Sequence, residues 1–140
     1  MAGFTNKFES TSEEWETPDN VYLPLAEEFV FDRDVAASSQ NAKTLSFFSK
    51  SEDGLLQEWT GTCWMNPPFG RQLKHWVIKA YESSEKGAVV VCLLPAKTNT
   101  NWWHDYCMKG EIRFLRGRPK FNGAKHGLPF PLAIVIFGKR

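Results

Sequence analysis

The chain has 140 residues, 42% of them hydrophobic and 14% aromatic, which suits one domain with an aromatic-anchored core and excludes an intrinsically disordered chain. The formal net charge of +1 lacks the overall basic excess of many nucleic-acid binders, so any such contact must come from a local patch. Cys63, Cys92 and Cys107 form no C-x-x-C pair, and His75, His104 and His126 show no helical pairing; neither a metal site nor a disulfide framework is expected.

Residues 1–14 are polar and acidic without apolar periodicity, and a frayed leader is expected there, with a single domain over 15–140. Thr17-Pro18-Asp19 reads as a helix start, Thr17 as N-cap and Pro18 at the first helical position. Val21, Tyr22 and Leu25 would face inward, and Pro24 would keep that helix short, kinked or interrupted. Glu28 to Asp32 (EFVFD) reads as a strand from its aromatic and β-branched residues. Leu45 to Phe48 is short and ambiguous, and Ser51 to Gly54 is a turn.

Thr62 to Met65 (TCWM) is a brief strand that stops at Asn66-Pro67-Pro68. Leu73, Trp76, Val77, Ala80 and Tyr81 put one apolar stripe on a helix over 71–83. Ala88 to Leu94 (AVVVCLL) is apolar throughout, as in a central parallel strand covered on both faces. A helix over 101–108, a strand over 111–116 and a buried strand over 131–137 complete the order. Gly117, Pro119, Gly123, Gly127 and Pro129 mark a loop rather than a crossover helix between the last two strands, which predicts an antiparallel final pair. The whole is an α/β sheet, mostly parallel, whose ligands would bind outside the carboxyl ends of the strands. No apolar run approaches the roughly 18 residues of a membrane span, and no export signal opens the chain.

Asn66-Pro67-Pro68-Phe69 falls at that ligand edge, on a backbone stiffened by two fixed φ angles. An amine on an aromatic ring is a weak nucleophile, because its lone pair is delocalised and must be aimed. The Asn66 side-chain oxygen and the Pro67 carbonyl offer two acceptors for the amine hydrogens. Phe69 offers a flat face for an extruded base. The same tetrapeptide also suits a plain turn with a buried Phe, and its place between strand and helix favours chemistry.

Together with Trp15-Glu16-Thr17-Pro18, Phe31-Asp32-Arg33-Asp34-Val35-Ala36-Ala37, Asp53-Gly54-Leu55, Trp59, Leu93-Leu94-Pro95-Ala96, Gly117-Arg118-Pro119-Lys120-Phe121 and Pro129-Phe130-Pro131, this motif resembles the small phage-type, Dam-like DNA N6-adenine methyltransferases over Trp15 to Phe137. The resemblance implies a compact Rossmann-like fold and S-adenosylmethionine as cofactor. It also implies flipped adenine in DNA as substrate, work in a bacterial host's cytoplasm, and a role in DNA modification such as restriction-modification. It assigns Asn66, Pro67, Pro68 and Phe69 to catalysis. Thr17 and Pro18 fall in the N-terminal cofactor motif, and Asp34 to Ala37 in the loop under the cofactor's methionine part, with Asp34 facing its ammonium and Ala36 in the same loop. Asp53 and Trp15 are further cofactor candidates, beside the plainer readings of an Asp-Gly turn and a core Trp. Val35, Phe69 and Gly70 stand where the family more often has Pro, Tyr and Ser.

Arg116, Arg118, Lys120 and Lys125, with Arg113 nearby, supply a basic patch expected to meet DNA phosphates, against the reading of an ordinary solvated face. No separate target-recognition domain fits, and a monomer or weak dimer without membrane or metal partners is expected. Two other functions share these residues. A protein glutamine methyltransferase presents a carboxamide nitrogen to the same acceptors, and an inactive DNA-binding decoy keeps the fold alone.

Overall fold

A computed structural model of the chain describes residues 17–37, 41–117, 119 and 130–139. The leader expected over 1–14, with Trp15, Arg118, Lys120 and Lys125, lies outside the described residues.

Helix α1 spans Asp19–Phe29, and Tyr22, Leu25 and Phe29 form its buried stripe. That spacing of three and four is what a helix needs to bury one face. The predicted Glu28–Asp32 strand is therefore corrected: Glu28 and Phe29 are helical, and β1 is only Arg33–Asp34. Val30, in the left-handed region at φ 53°, ends the helix, its N–H donating to the Ala26 carbonyl. Pro24 sits inside α1 on its exposed side, where water can serve the carbonyl its missing N–H leaves free. The N-cap is Pro18 rather than Thr17 and makes no side-chain cap; the Thr17 hydroxyl is used elsewhere.

Four more strands follow: β2 Thr62–Met65, β3 Val89–Pro95, β4 Glu111–Phe114 and β5 Leu132–Phe137. They join β1 in one sheet of order β1-β2-β3-β5-β4. The pairs β1–β2 and β2–β3 are parallel, and β3–β5 and β4–β5 are antiparallel. The expected antiparallel final pair is present. The pairing is evenly mixed rather than mostly parallel, because β5 inserts, reversed, between β3 and β4. Leu45–Phe48 contributes an isolated bridge, Phe47 to Asp34.

Alternation along the strands sends side chains to two cores. One face carries Cys63, Met65, Val90, Cys92, Leu94, Ala133, Val135 and Phe137. Against it packs helix α2, Leu73–Glu85, through Leu73, Trp76, Val77 and Ala80, and helix α3, Asn101–Asp105, through Trp103. The other face carries Trp64, Val91, Leu93, Leu132, Ile134 and Ile136 under α1. All six β5 residues are buried, as are all seven of β3, so these strands need apolar side chains in both directions. All three thiols are buried and free. Burial pushes Cys63 up to about 11 and Cys107 up to about 12, so none is a reactive thiolate at neutral pH.

Among the described residues no helix is long and apolar enough to cross a membrane.

Candidate active site

The carboxyl ends of β1 and β2 lie side by side, with Asp34 opposite Trp64 in the parallel register. Paired residues in register share a face, so the Asp34 and Trp64 side chains lie on the α1 side. Asn66, two residues beyond Trp64, continues that alternation.

Asp34 is 3% exposed. Its two carboxylate oxygens accept from the backbone N–H groups of Ala36, at 3.2 Å, and Lys43, at 3.0 Å. The backbone on either side is held as well: Asp34 N–H donates to the Ser46 carbonyl, Phe48 N–H to the Asp34 carbonyl, and Val35 N–H to Trp64. Burial pushes the Asp34 carboxyl up to about 6, although the two backbone donors and the Lys43 charge pull it down. The carboxylate thus organises the loop that follows β1. Two further lone-pair directions remain on the carboxylate for another partner.

Lys43 joins three of these elements. Its ammonium donates to the Thr17 carbonyl at 3.0 Å, and its own carbonyl accepts from the Tyr22 hydroxyl at 3.2 Å. The ammonium also stands 5.3 Å from the Tyr22 ring centroid. Thr17, 1% exposed, accepts at Oγ1 from Asn66 Nδ2 at 3.0 Å. Sequence reasoning missed Lys43. It lies in a stretch with no periodicity, and only the fold brings it to Thr17 and Asp34.

The four motif residues follow β2 directly. Pro67 is buried and Phe69 half-buried, its ring packed against both cores and 6.0 Å from that of Phe130. Lys97, just past β3, holds its ammonium 5.3 Å from the Phe130 centroid. The Ala96 N–H donates to the Pro131 carbonyl at 2.8 Å, which ties these two segments together.

Asp53 and Gly54 serve the turn reading. Asp53 accepts from Leu55 N–H and caps a short 3-10 turn, Gly54–Leu56. Gly54 packs so closely on β1's end that a Cβ there would lie 2.1 Å from the Val35 carbonyl. Trp59 donates its indole N–H to the Gly54 carbonyl at 2.8 Å. The turn thus braces the Asp34 segment from behind.

The basic patch divides. Arg113 forks onto the Glu28 carboxylate at 2.6 and 2.7 Å and also reaches Glu111, tying β4 to α1, so its charge is already spent within the protein. Arg116 is exposed. Among the described residues, the segments leaving the carboxyl ends of β1 to β4 (35–37, 66–72, 96–100 and 115–117) carry Arg71, Lys97 and Arg116, all exposed, and no carboxylate. The opposite edge mixes Asp32 and Glu58 with Lys86, Lys109 and Lys139. These four segments therefore carry only positive charge, with the buried Asp34 at the end of β1 beside them.

Fold and site together give an α/β protein in which a buried acid and an Asn-Pro-Pro-Phe segment stand side by side at the carboxyl ends of two parallel strands. A family model described as DNA N-6-adenine-methyltransferase (Dam) matches residues 5–129, and the chain belongs to that family. It is 31% identical, over 117 residues and 79% of its length, to a DNA N-6-adenine-methyltransferase of Haemophilus phage HP1. It is 34% identical, over 103 residues and 71% of its length, to one of Escherichia phage T1. The matched regions span 66% of the first relative and 42% of the second.

Proposed function

We propose that the chain methylates the exocyclic N6 amine of adenine in DNA, with S-adenosylmethionine as donor, on a Rossmann-like methyltransferase sheet, in the cytoplasm of a bacterial host. The observation that carries this reading is the intact Asn66 to Phe69 segment at the carboxyl edge of the sheet in a member of the Dam family.

S-adenosylmethionine, when bound, supplies an electrophilic methyl group on a sulfonium. The residues fit such a group. The Asp34 carboxylate is buried at the strand end with coordination to spare, and burial holds its pKa up as expected of an acid awaiting a cation. Beside it in register, the buried Trp64 indole N–H has no hydrogen-bond partner among the described residues, although such a donor is ordinarily satisfied. Pro18 and Ala36, with the backbone of Thr17, whose hydroxyl is turned to Asn66, would line the same recess.

The protein's own part is to bind, orient and exclude water. Asn66 Oδ1 and the Pro67 carbonyl accept the two hydrogens of the amine and bring its lone pair into line with the methyl carbon. Phe69 stacks on the extruded adenine, whose removal from the duplex costs a few kcal/mol. Asn66 Oδ1 and the Pro67 carbonyl would keep hold of the amine hydrogens until the nitrogen, cationic once it has taken the methyl group, gives one of them up as a proton. Arg71, Lys97 and Arg116, with Arg118, Lys120 and Lys125, would meet phosphates.

Incubation with methyl-labelled S-adenosylmethionine and a choice of DNA, RNA and protein tests the reading. Label is expected in DNA and, after digestion, in N6-methyladenine. Asn66→Ala is expected to lower turnover by about 100-fold or more while calorimetry shows the cofactor still bound. Label on protein glutamine, or on nothing, would overturn the proposal.

A further inference from the structure

Thr17 falls in the segment whose family resemblance points to the cofactor, yet its hydroxyl is turned to the catalytic turn. Asn66 Nδ2 donates to Thr17 Oγ1 at 3.0 Å across 49 residues of sequence. We infer that Thr17 is a positioning residue for Asn66, fixing which end of the Asn66 amide faces the substrate, and that Lys43 holds Thr17 in place for that task. The inference rests on the methyltransferase reading above.

A carboxamide has a donor end and an acceptor end of nearly equal size, and packing alone selects poorly between them. The substrate amine offers hydrogens, so only the Oδ1 end can receive it. An amide turned over would set NH₂ against NH₂. A hydroxyl can donate as well as accept, and here Thr17 Oγ1 is the acceptor for Asn66 Nδ2, which leaves Oδ1 directed away from Thr17. Thr17 is well placed to be that acceptor: it is 1% exposed, and competition from bulk water is therefore small.

The position of Thr17 is itself braced. Lys43 Nζ donates to the Thr17 carbonyl, and Lys43 N–H donates to Asp34 Oδ2. The Tyr22 hydroxyl holds the Lys43 carbonyl from α1. One connected set of hydrogen bonds therefore runs from the Asp34 carboxylate through Lys43 and Thr17 to the Asn66 amide. Binding of the cofactor's ammonium beside Asp34 would act on the same set, so the segment at 41–43 links cofactor seating to the aim of the catalytic amide.

Thr17→Val keeps the shape and removes the acceptor, and Thr17→Ser keeps the acceptor. Thr17→Val is expected to lower the single-turnover rate on DNA by about 10- to 100-fold, with the Kd for S-adenosylmethionine nearly unchanged; Thr17→Ser should recover most of the rate. In an Asn66→Ala background Thr17→Val should cost no further rate, since the residue acts through Asn66. Lys43→Met, which leaves the Thr17 hydroxyl in place, is expected to show a smaller loss of the same kind and covers the case in which Thr17→Val fails to fold. Hydrogen exchange of the Asn66 side-chain amide, read by NMR, reports the bond without any turnover, and it should be slowed in the wild type and free in Thr17→Val. Freely exchanging wild-type amide protons, equal losses in both backgrounds, or a change confined to cofactor affinity would each overturn the inference. A wild type that slows this exchange yet methylates no DNA would instead sink the functional reading, and the catalytic meaning of the bond with it.

Discussion

Under α2 and α3 the sheet presents Cys63, Met65, Val90, Cys92, Leu94 and Val135, whereas under α1 the strand ends bring Asp34, Trp64 and Asn66 beside Thr17. Of the three buried polar or charged residues among those described, Thr17 and Asp34 belong to the α1 side and Ser83 closes α2. Buried apolar surface stabilises a fold, while a buried carboxylate and an unpartnered indole N–H cost stability. Both faces bury apolar cores, and the α1 side also carries, at its strand ends, a buried carboxylate and an indole N–H that cost stability.

The largest effect that sharpens this contrast is expected at Trp76. It is 6% exposed and its ring stacks on that of Trp59 at 5.8 Å. Trp76→Ala should lower unfolding free energy by about 3–5 kcal/mol, read from urea midpoints, with cofactor affinity per folded molecule retained. A weakened cofactor Kd in the folded fraction would break the division between the faces.

Asp34 should behave in the opposite sense. Its folded pKa, about 6, stands above the ordinary 3.8, so between those values the folded protein keeps a proton that the unfolded chain has released. Stability then falls as pH rises through that window, by about 3 kcal/mol, and is fully present only below it. In Asp34→Asn this fall should vanish, while cofactor binding at neutral pH weakens. Parallel pH profiles of the wild type and the variant would show that the cost lies elsewhere.

The smallest effects concern two arginines close in sequence. Arg113→Ala should cost about 1 kcal/mol, the scale of a partly exposed ion pair, and leave the salt dependence of DNA binding alone. Arg116→Ala should leave stability alone and lower the slope of log affinity against log salt by about one. Exchanged outcomes would move the DNA interface off the carboxyl edge.

These details were unevenly legible in the sequence. Strand β2 could be read to the residue, and β3, β5 and α2 to within two at either end, because continuous apolar runs and a 3-4 stripe leave little choice. The strand expected over Glu28 to Asp32 fails because aromatic and β-branched residues in a five-residue window suit either state. The stripe Tyr22, Leu25, Phe29 was the signal that α1 runs through it, and Pro24 obscured it. At the site, the resemblance marked Asn66 to Phe69, Thr17 and Asp34. It could not show that Thr17 meets Asn66 or that Arg113 is held by Glu28, since these contacts join residues 49 and 85 apart. Lys43 carried no local signal of any kind.

The reversed strand β5 also sets an order of events during synthesis. Val90 pairs with Phe137 and Pro95 with Leu132, so the middle of the sheet is closed by residues that leave the ribosome only after β3 and β4. Until then β3, apolar along its whole length, has one edge without a neighbour, and β4 has no place in the sheet at all. Such an edge can recruit strands from other chains. The nascent protein is thus most prone to aggregation between the emergence of residue 95 and that of residue 137, and a ribosome that stalls in that interval holds a half-built sheet with its stickiest edge open.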